Sequence, residues 1–120
     1  MTEVKKSKQF DLEDRTLKFA KEVIKFVNIL PKTMANVEIV KQVVRSSGSV
    51  GANYIEANEA LSKKDFAMRV KICRKEAKES RYWLMLIETK GEVTDKKRQA
   101  LFDEATELTK IFGSIVEKTK

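Results

Sequence analysis

Six cations lie close together in the sequence, and their type and spacing suit the binding of phosphate groups. No base-reading motif accompanies them. They are Lys63, Lys64, Lys71, Arg74, Lys75 and Lys78. The last four are spaced i, i+3, i+4, i+7, which places them on one side of a helix. Clustered cations displace counterions condensed on nucleic acid, so the cluster predicts a ridge of phosphate contacts that ignores base sequence. The alternative is an ordinary solvated helix face.

The net charge supports the interpretation of these cations as a phosphate-binding ridge. The chain has 120 residues, a net charge of +7 and an isoelectric point near 9.5. Residues 62–90 contribute nine basic and four acidic side chains, so a surplus of five charges lies in this segment. A basic surface of this kind is typical of proteins that bind RNA or DNA.

Most catalytic chemistry is excluded by composition. The sequence contains no histidine, which removes the commonest general acid-base group and metal ligand. The single cysteine, Cys73, has apolar neighbours at helical spacing and is predicted to fill the core. We therefore expect no catalytic residue, no metal site and no cofactor. An enzyme would need cations that point into the core, and Arg45 and Arg69 are the only ones worth checking for that position.

The N-terminal residues MTEVKKSKQF contain no apolar run typical of a signal peptide. Nowhere do eighteen uncharged apolar residues follow one another, as a transmembrane helix requires. We expect a cytoplasmic protein with no membrane partner.

Apolar periodicity predicts four helices joined by short links, and short links make neighbouring helices antiparallel. The expected fold is all-α, an antiparallel up-down-up-down four-helix bundle forming one domain over residues 1–120. The helices are predicted from about Asp11 to Leu30, from near Thr33 to about Leu61, from Ser62 to an end by Gly91, and from Thr94 onward.

Each predicted helix has an inward stripe. The first two stripes are Leu17, Ala20, Ile24 and Val27, and then Val37, Val40, Val44, Ser47, Gly51, Ile55 and Asn58. The last two are Phe66, Val70, Cys73, Ala77, Ser80 and Leu84, and then Leu101, Ala105, Leu108, Phe112 and Ile115. Three aromatic or branched side chains of the first helix, Phe19, Phe26 and Ile29, lie outside its stripe.

The segment RSSGSVGANYIEANEA, residues 45–60, is the least typical part of the second helix. Gly48 and Gly51 match a G-x-x-G phosphate loop, but no strand precedes them and no lysine follows Gly51. Within a helix, each glycine costs about 1 kcal/mol relative to alanine. Close approach of another helix is the plausible compensation, and the charge-free gap from Ser46 to Ile55 suggests burial within the subunit and against a neighbouring one.

A second surface is predicted on the third helix, where Trp83 projects beside the core stripe and could anchor a subunit contact. The alternative is that Trp83 packs beneath the first or fourth helix. Arg45 and Glu56 bracket the charge-free gap and are expected either to pair with charges of the third helix or to be surface charges. The predicted helix-packing or oligomer residues are Arg45, Ser49, Gly51, Ala52, Asn53, Glu56, Ile72, Glu76, Glu79, Trp83 and Ile87.

The same residues carry a family resemblance. The motifs are RS at 45–46, SVGAN at 49–53, EA at 56–57, DF at 65–66 and KEAKESRYWL at 75–84. With the length and layout of the chain, they resemble the four-helix bundle family encoded in bacterial 23S rRNA intervening sequences. The resemblance implies a left-handed bundle that assembles as a homopentamer. It also implies kinship with the accessory protein of diversity-generating retroelements, a basic pentamer that binds nucleic acid and a reverse transcriptase.

Two functions remain open on this basis. The first is a non-enzymatic, homo-oligomeric bundle that binds RNA or DNA unspecifically through the six cations. The second is a scaffold that recruits a protein partner, such as a reverse transcriptase, and has no role with nucleic acid. The resembled family has no established catalytic residues, so the resemblance implies none in this chain.

Overall fold

Four helices make up the computed structural model, which describes the backbone of residues 2–120 and the side chains of residues 12–120. They are α1 (Thr2–Val27), α2 (Met34–Asn58), α3 (Lys63–Leu86) and α4 (Glu92–Lys118), with no strand among residues 2–120. Consecutive helices pack against each other, and α4 closes back onto α1. The predicted all-α, up-down-up-down four-helix bundle is therefore confirmed.

The helix ends follow from local chemistry. The Thr33 hydroxyl accepts a hydrogen bond from the Asn36 backbone N–H at 3.0 Å, and Ser62 caps α3 in the same way through Asp65 at 3.0 Å. Pro31 lies in the link between α1 and α2, where it cannot continue a helix. Gly91 precedes α4 with φ of 89°, a conformation that favours glycine.

Helix α1 begins at Thr2 rather than Asp11, and α4 begins at Glu92 rather than Thr94. The side chains of residues 2–11, including Asp11, lie outside the described residues, as does Met1, so the expectation about a signal peptide in MTEVKKSKQF is untested. Within the part of the chain that is described, no helix is both long and apolar enough to cross a bilayer.

The predicted stripes of α3 and α4 do face the core. Their buried members are Val70, Cys73, Ala77, Ser80, Leu84, Leu101, Ala105, Leu108 and Phe112. Phe66 and Ile115 are partly buried at the edge of this core. Cys73 fills the interior as predicted, and its burial raises the pKa of the thiol to about 12, which disfavours the reactive thiolate.

The predicted stripe of α1 is wrong. Leu17 is 53% and Ile24 is 48% exposed, whereas the buried side chains are Thr16, Phe19, Val23, Phe26 and Leu30. Both sets repeat every three to four residues, so periodicity alone does not separate them. The set that contains two phenylalanines faces inward because large aromatic side chains bury more apolar area.

The predicted stripe of α2 is rotated as well. Val37 and Ile55 are exposed, and only Ser47 of the predicted set is fully buried. The inward residues are Asn36, Val43, Ser46, Ser47, Val50, Tyr54 and Ala57. The error arises because polar side chains on the inward face find hydrogen-bond partners on other parts of the bundle. The Ser46 and Ser80 hydroxyls, for example, lie 2.8 Å apart in the interior.

Asn36 shows how such a polar group holds the fold together. Its side-chain amide donates to the backbone carbonyls of Pro31 and Glu88, each at 2.9 Å, and its Oδ1 accepts from the Glu88 backbone N–H at 2.9 Å. One buried side chain therefore ties the α1–α2 link to the segment that follows α3. Arg98 reinforces the same end by donating to the Ile87 carbonyl at 2.6 Å.

Candidate nucleic-acid interface

The face of α3 opposite its core stripe carries the predicted cations. Lys71, Lys75 and Lys78 are exposed along it, and Lys63 and Lys64 are exposed at its N-terminal end. Among residues 12–120, no carboxylate lies within ion-pair distance of these five ammonium groups. The charges are thus available to an external anion.

Arg74, the sixth predicted cation, lies differently. Its side chain is half-buried at the α3–α4 boundary, where its Cδ would be 3.7 Å from a Cβ built on Gly113. It also contributes, after the larger effect of Lys120, to lowering the pKa of Glu117. Arg74 therefore borders the exposed ridge and leans toward α4.

A cleft of about 600 Å³ opens at the end of the bundle where α3 begins and α4 ends. Lys63, Lys64 and Lys71 line it from α3, and Lys120 lines it from the C-terminus. Lys120 forms an ion pair of 2.9 Å with Glu117. Its closeness to the α3 lysines could not be predicted from the sequence, because only the folded bundle brings the two helix ends together.

A shallower cleft of about 320 Å³ lies further along α3, between Lys75, Lys78, Glu79, Tyr82 and Trp83. The Tyr82 ring is 58% exposed and meets Trp83 edge-on, with centroids 5.2 Å apart at 71°. Tyr82 was not among the residues predicted from the sequence. Its position was the available signal, because it follows Lys75 and Lys78 at i+7 and i+4 on the same side of the helix.

The predicted interface residues Arg45, Glu76 and Glu79 meet within the chain. Arg45 Nη1 lies 3.3 Å from Glu76 Oε1, and Arg45 Nη2 lies 3.1 Å from Glu79 Oε1. Glu76 is almost completely buried, whereas Arg45 is half-exposed. Glu56, in contrast, is exposed and forms no ion pair within residues 12–120.

Gly51 packs against α1. A Cβ built at this glycine would lie 2.9 Å from Thr16 Oγ1, closer than real Cβ atoms approach, and 3.2 Å from Thr16 Cβ, a tight contact. The glycine therefore allows α1 and α2 to pack this tightly, as the sequence suggested for this segment. The G-x-x-G phosphate loop is ruled out because residues 48–51 are helical.

Ser49 and Asn53 line the α2 side that faces α3. The Asn53 amide donates to the Ser49 carbonyl at 2.9 Å and accepts from Arg69 Nη1 at 3.1 Å. Arg69 is exposed and does not point into the core, so it has no enzyme-like inward position, and neither does half-exposed Arg45. Ala52 is exposed on the outer side of α2.

Ile72, Trp83 and Ile87 do not share one surface. Ile72 and Trp83 are half-buried on α3, and Trp83 packs against the core while its Nε1 has no hydrogen-bond partner within the described residues. The sequence pattern predicts that Ile87 projects with Ile72 and Trp83 to one side of the core stripe. Ile87 instead follows the end of α3 and is 2% exposed inside the core, so that prediction is corrected. Ile87 follows Ser80 at i+7 and Leu84 at i+3, so it continues the core stripe of α3.

Comparison with known proteins identifies a family. The family model described as 23S rRNA-intervening sequence protein matches residues 8–114. A crystal structure from Bacteroides thetaiotaomicron, described as a protein with unknown function from the S23 ribosomal protein family, shares 31% sequence identity and superposes with a TM-score of 0.79. The similarity covers 92% of this chain and 98% of that one. No curated protein matches the chain.

The chain therefore belongs to the 23S rRNA-intervening sequence protein family, as its motifs in α2 and α3 indicated. Neither comparison indicates a catalytic family. Within residues 12–120, no three His, Cys, Asp or Glu side chains form a group that could hold a metal ion.

Proposed function

We propose that this member of the 23S rRNA-intervening sequence protein family is a non-enzymatic, cytoplasmic homo-oligomer that binds RNA or DNA without base specificity through the outer face of α3. The observation that carries the proposal is the set of exposed lysines along that face, none of which has a carboxylate partner among the described side chains. Each such lysine can release one condensed counterion when it contacts a phosphate.

Self-association is supported by the apolar residues left on the outer side of α1 and α2. Four apolar side chains that recur at helical spacing are each about half-exposed. They are Leu17 and Ile24 on α1, and Val37 and Ile55 on α2. Apolar surface of this kind on a small domain is typical of an interaction site. Five subunits is the number that the family resemblance implies, and light scattering tests it directly against the chain mass of 13.8 kDa.

Nucleic-acid binding is tested by reversing three lysines of the α3 face. We expect the triple variant Lys71→Glu, Lys75→Glu and Lys78→Glu to weaken binding to mixed-sequence RNA and DNA at least about tenfold at low salt. The slope of the logarithm of the binding constant against the logarithm of the salt concentration should also become shallower. We expect a change of about one for each phosphate that the variant no longer binds. Fluorescence anisotropy over a range of salt concentrations measures both quantities.

The matched control reverses three exposed lysines elsewhere, Lys18, Lys21 and Lys97, and so makes the same change in net charge. Much weaker loss of affinity in this control would show that the α3 face, and not overall charge, is the binding surface. Equal loss in both variants would contradict the assignment of the face. Absence of binding by the wild-type protein at low salt would leave the scaffold function, recruitment of a protein partner such as a reverse transcriptase, as the better interpretation.

A further inference from the structure

We propose that Tyr82 gives the α3 face a preference for single-stranded nucleic acid, by stacking an unpaired base beside phosphates held by Lys75 and Lys78. The proposal rests on the nucleic-acid binding proposed above and adds the form of nucleic acid that the face selects. The preference follows from the position of the Tyr82 ring, its exposure and its contact with Trp83.

The ring continues the line of the basic stripe, about one turn beyond its last lysine. At 100° per residue, Tyr82 falls 20° from Lys75 and 40° from Lys78 around the α3 axis, and it follows Lys78 by about one turn. All three residues line the same shallow cleft of about 320 Å³. A strand that runs along the lysines and continues for one more helical turn therefore reaches the tyrosine.

Tyr82 is also the aromatic side chain that is free to stack. Among the aromatic residues within 12–120 it alone is exposed, and the others are buried or half-buried. Proteins that bind single strands combine a basic groove with aromatic rings on which bases stack, and this stacking tolerates any base. A duplex offers its phosphates to the same lysines but keeps its base faces covered.

The environment holds the ring in place. Trp83 packs against the bundle core and meets Tyr82 edge-on, at a centroid distance of 5.2 Å. Glu79, the acid of the cleft, lies 3.1 Å from Arg45, so part of its charge is compensated from α2. The contact with Trp83 restricts the ring on one side before binding, which lowers the entropic cost of stacking.

The test compares one oligonucleotide of mixed sequence, single-stranded, with its duplex at equal salt. We expect the wild-type protein to bind the single strand more tightly. Tyr82→Ala should weaken single-strand binding by roughly fivefold to 150-fold, the range for loss of one stacked base, and leave duplex binding unchanged. Tyr82→Phe keeps the ring and should keep the preference. Met85→Ala removes a neighbouring exposed side chain without a ring and should change neither affinity.

Trp83 provides a second measurement because it is the only tryptophan in the chain. Single strands should quench its fluorescence in the wild-type protein, and Tyr82→Ala should reduce that quenching at saturating oligonucleotide. If single strand and duplex bind equally and Tyr82→Ala alters neither, the stacking proposal is overturned while nucleic-acid binding stands. If neither form binds at low salt, both proposals fail together.

Discussion

Helix α2 carries two sets of small residues, an inner row packed inside the chain and an outer row on the surface, and the contrast between them separates internal packing from surface left open. The inner row, Ser46, Ser47 and Gly51, meets α1 and α3. The Ser46 hydroxyl contacts Ser80, and Gly51 leaves no room for a Cβ beside Thr16. The outer row, Gly48 and Ala52, is exposed, and beyond its own helix turn no atom of the described residues lies within 4 Å of a Cβ built on Gly48.

The two glycines therefore have different explanations. Each costs a helix interior about 1 kcal/mol relative to alanine. At Gly51 the close approach of α1 offsets that cost, whereas at Gly48 no contact among the described residues does. Because half-exposed Leu17, Ile24 and Ile55 also lie on the outer side of α1 and α2, the outer row supports the proposed self-association.

The largest expected effect tests the inner row. Gly51→Leu should lower the free energy of unfolding by about 3 kcal/mol or more, because the new side chain must displace Thr16 and the α1 backbone behind it. Thermal and urea unfolding followed by circular dichroism measure the change. Unfolding unchanged to within about 0.5 kcal/mol, the usual limit for surface substitutions, would show that α1 does not pack on this glycine.

Gly48→Leu is the matched control, since it makes the same substitution on the other row. There it meets open space within the chain and gains helix propensity, so we expect the fold to be retained. If the outer row is an interface between copies, the same variant should lower the solution mass in light scattering. A destabilisation equal to that of Gly51→Leu would remove the contrast between the rows.

The next effect concerns Arg45, which lies on the α3 side of the outer row. Arg45→Met should lower the free energy of unfolding by about 1–3 kcal/mol, because Glu76 would remain almost buried without its charge partner. Adding Glu76→Gln to Arg45→Met should recover most of the lost free energy of unfolding. Chemical denaturation of the wild-type protein, the single variant and the double variant measures this recovery. A cost below about 0.5 kcal/mol would place the pair among ordinary surface ion pairs.

The sequence predicted helix number, type and order because caps, breaks and short links are local signals. Ser62 at an N-cap and Pro31 in a link act through a few neighbouring residues, so their effect does not depend on the rest of the fold. The buried stripe of α3 was also predictable, since its opposite side carries lysines that cannot be buried unpaired. Its apolar residues recur at helical spacing, and the charge on the other side agrees with that assignment.

The stripes of α1 and α2 were not predictable in the same way. Leu17 and Ile24 repeat as regularly as Phe19 and Phe26, and only the assembled bundle decides which set is covered. On α2, the hydroxyl of Ser46 finds its partner on α3, a contact that no pattern within one helix contains. Tyr82 is a different case: its spacing to Lys75 and Lys78 placed it on the exposed side of α3, and this signal was missed.

A smaller effect tests the hydrogen bond of the inner row. Ser46→Ala should lower the free energy of unfolding by about 1 kcal/mol, the typical net value of one hydrogen bond. The loss should not be larger, because Ser80 keeps its second contact with the Glu76 carbonyl at 2.9 Å. Ser49→Ala, at a half-buried serine of the same helix, is the control and should be neutral or slightly stabilising. Equal effects of the two substitutions would show that burial of Ser46 contributes nothing specific.

The smallest expected effect concerns the outer row and has the opposite sign. Gly48→Ala adds one methyl group in open space, so the isolated chain should gain up to about 1 kcal/mol from helix propensity alone. Against a neighbouring subunit packed on Gly48, the same methyl group should instead weaken association, and the solution mass should fall at lower protein concentration. Unfolding measured at high dilution together with light scattering distinguishes the two effects. A gain in stability with an unchanged mass at every concentration would mean that Gly48 faces solvent, and the small residues of α2 would then serve only the packing of α1 and α3 inside one chain.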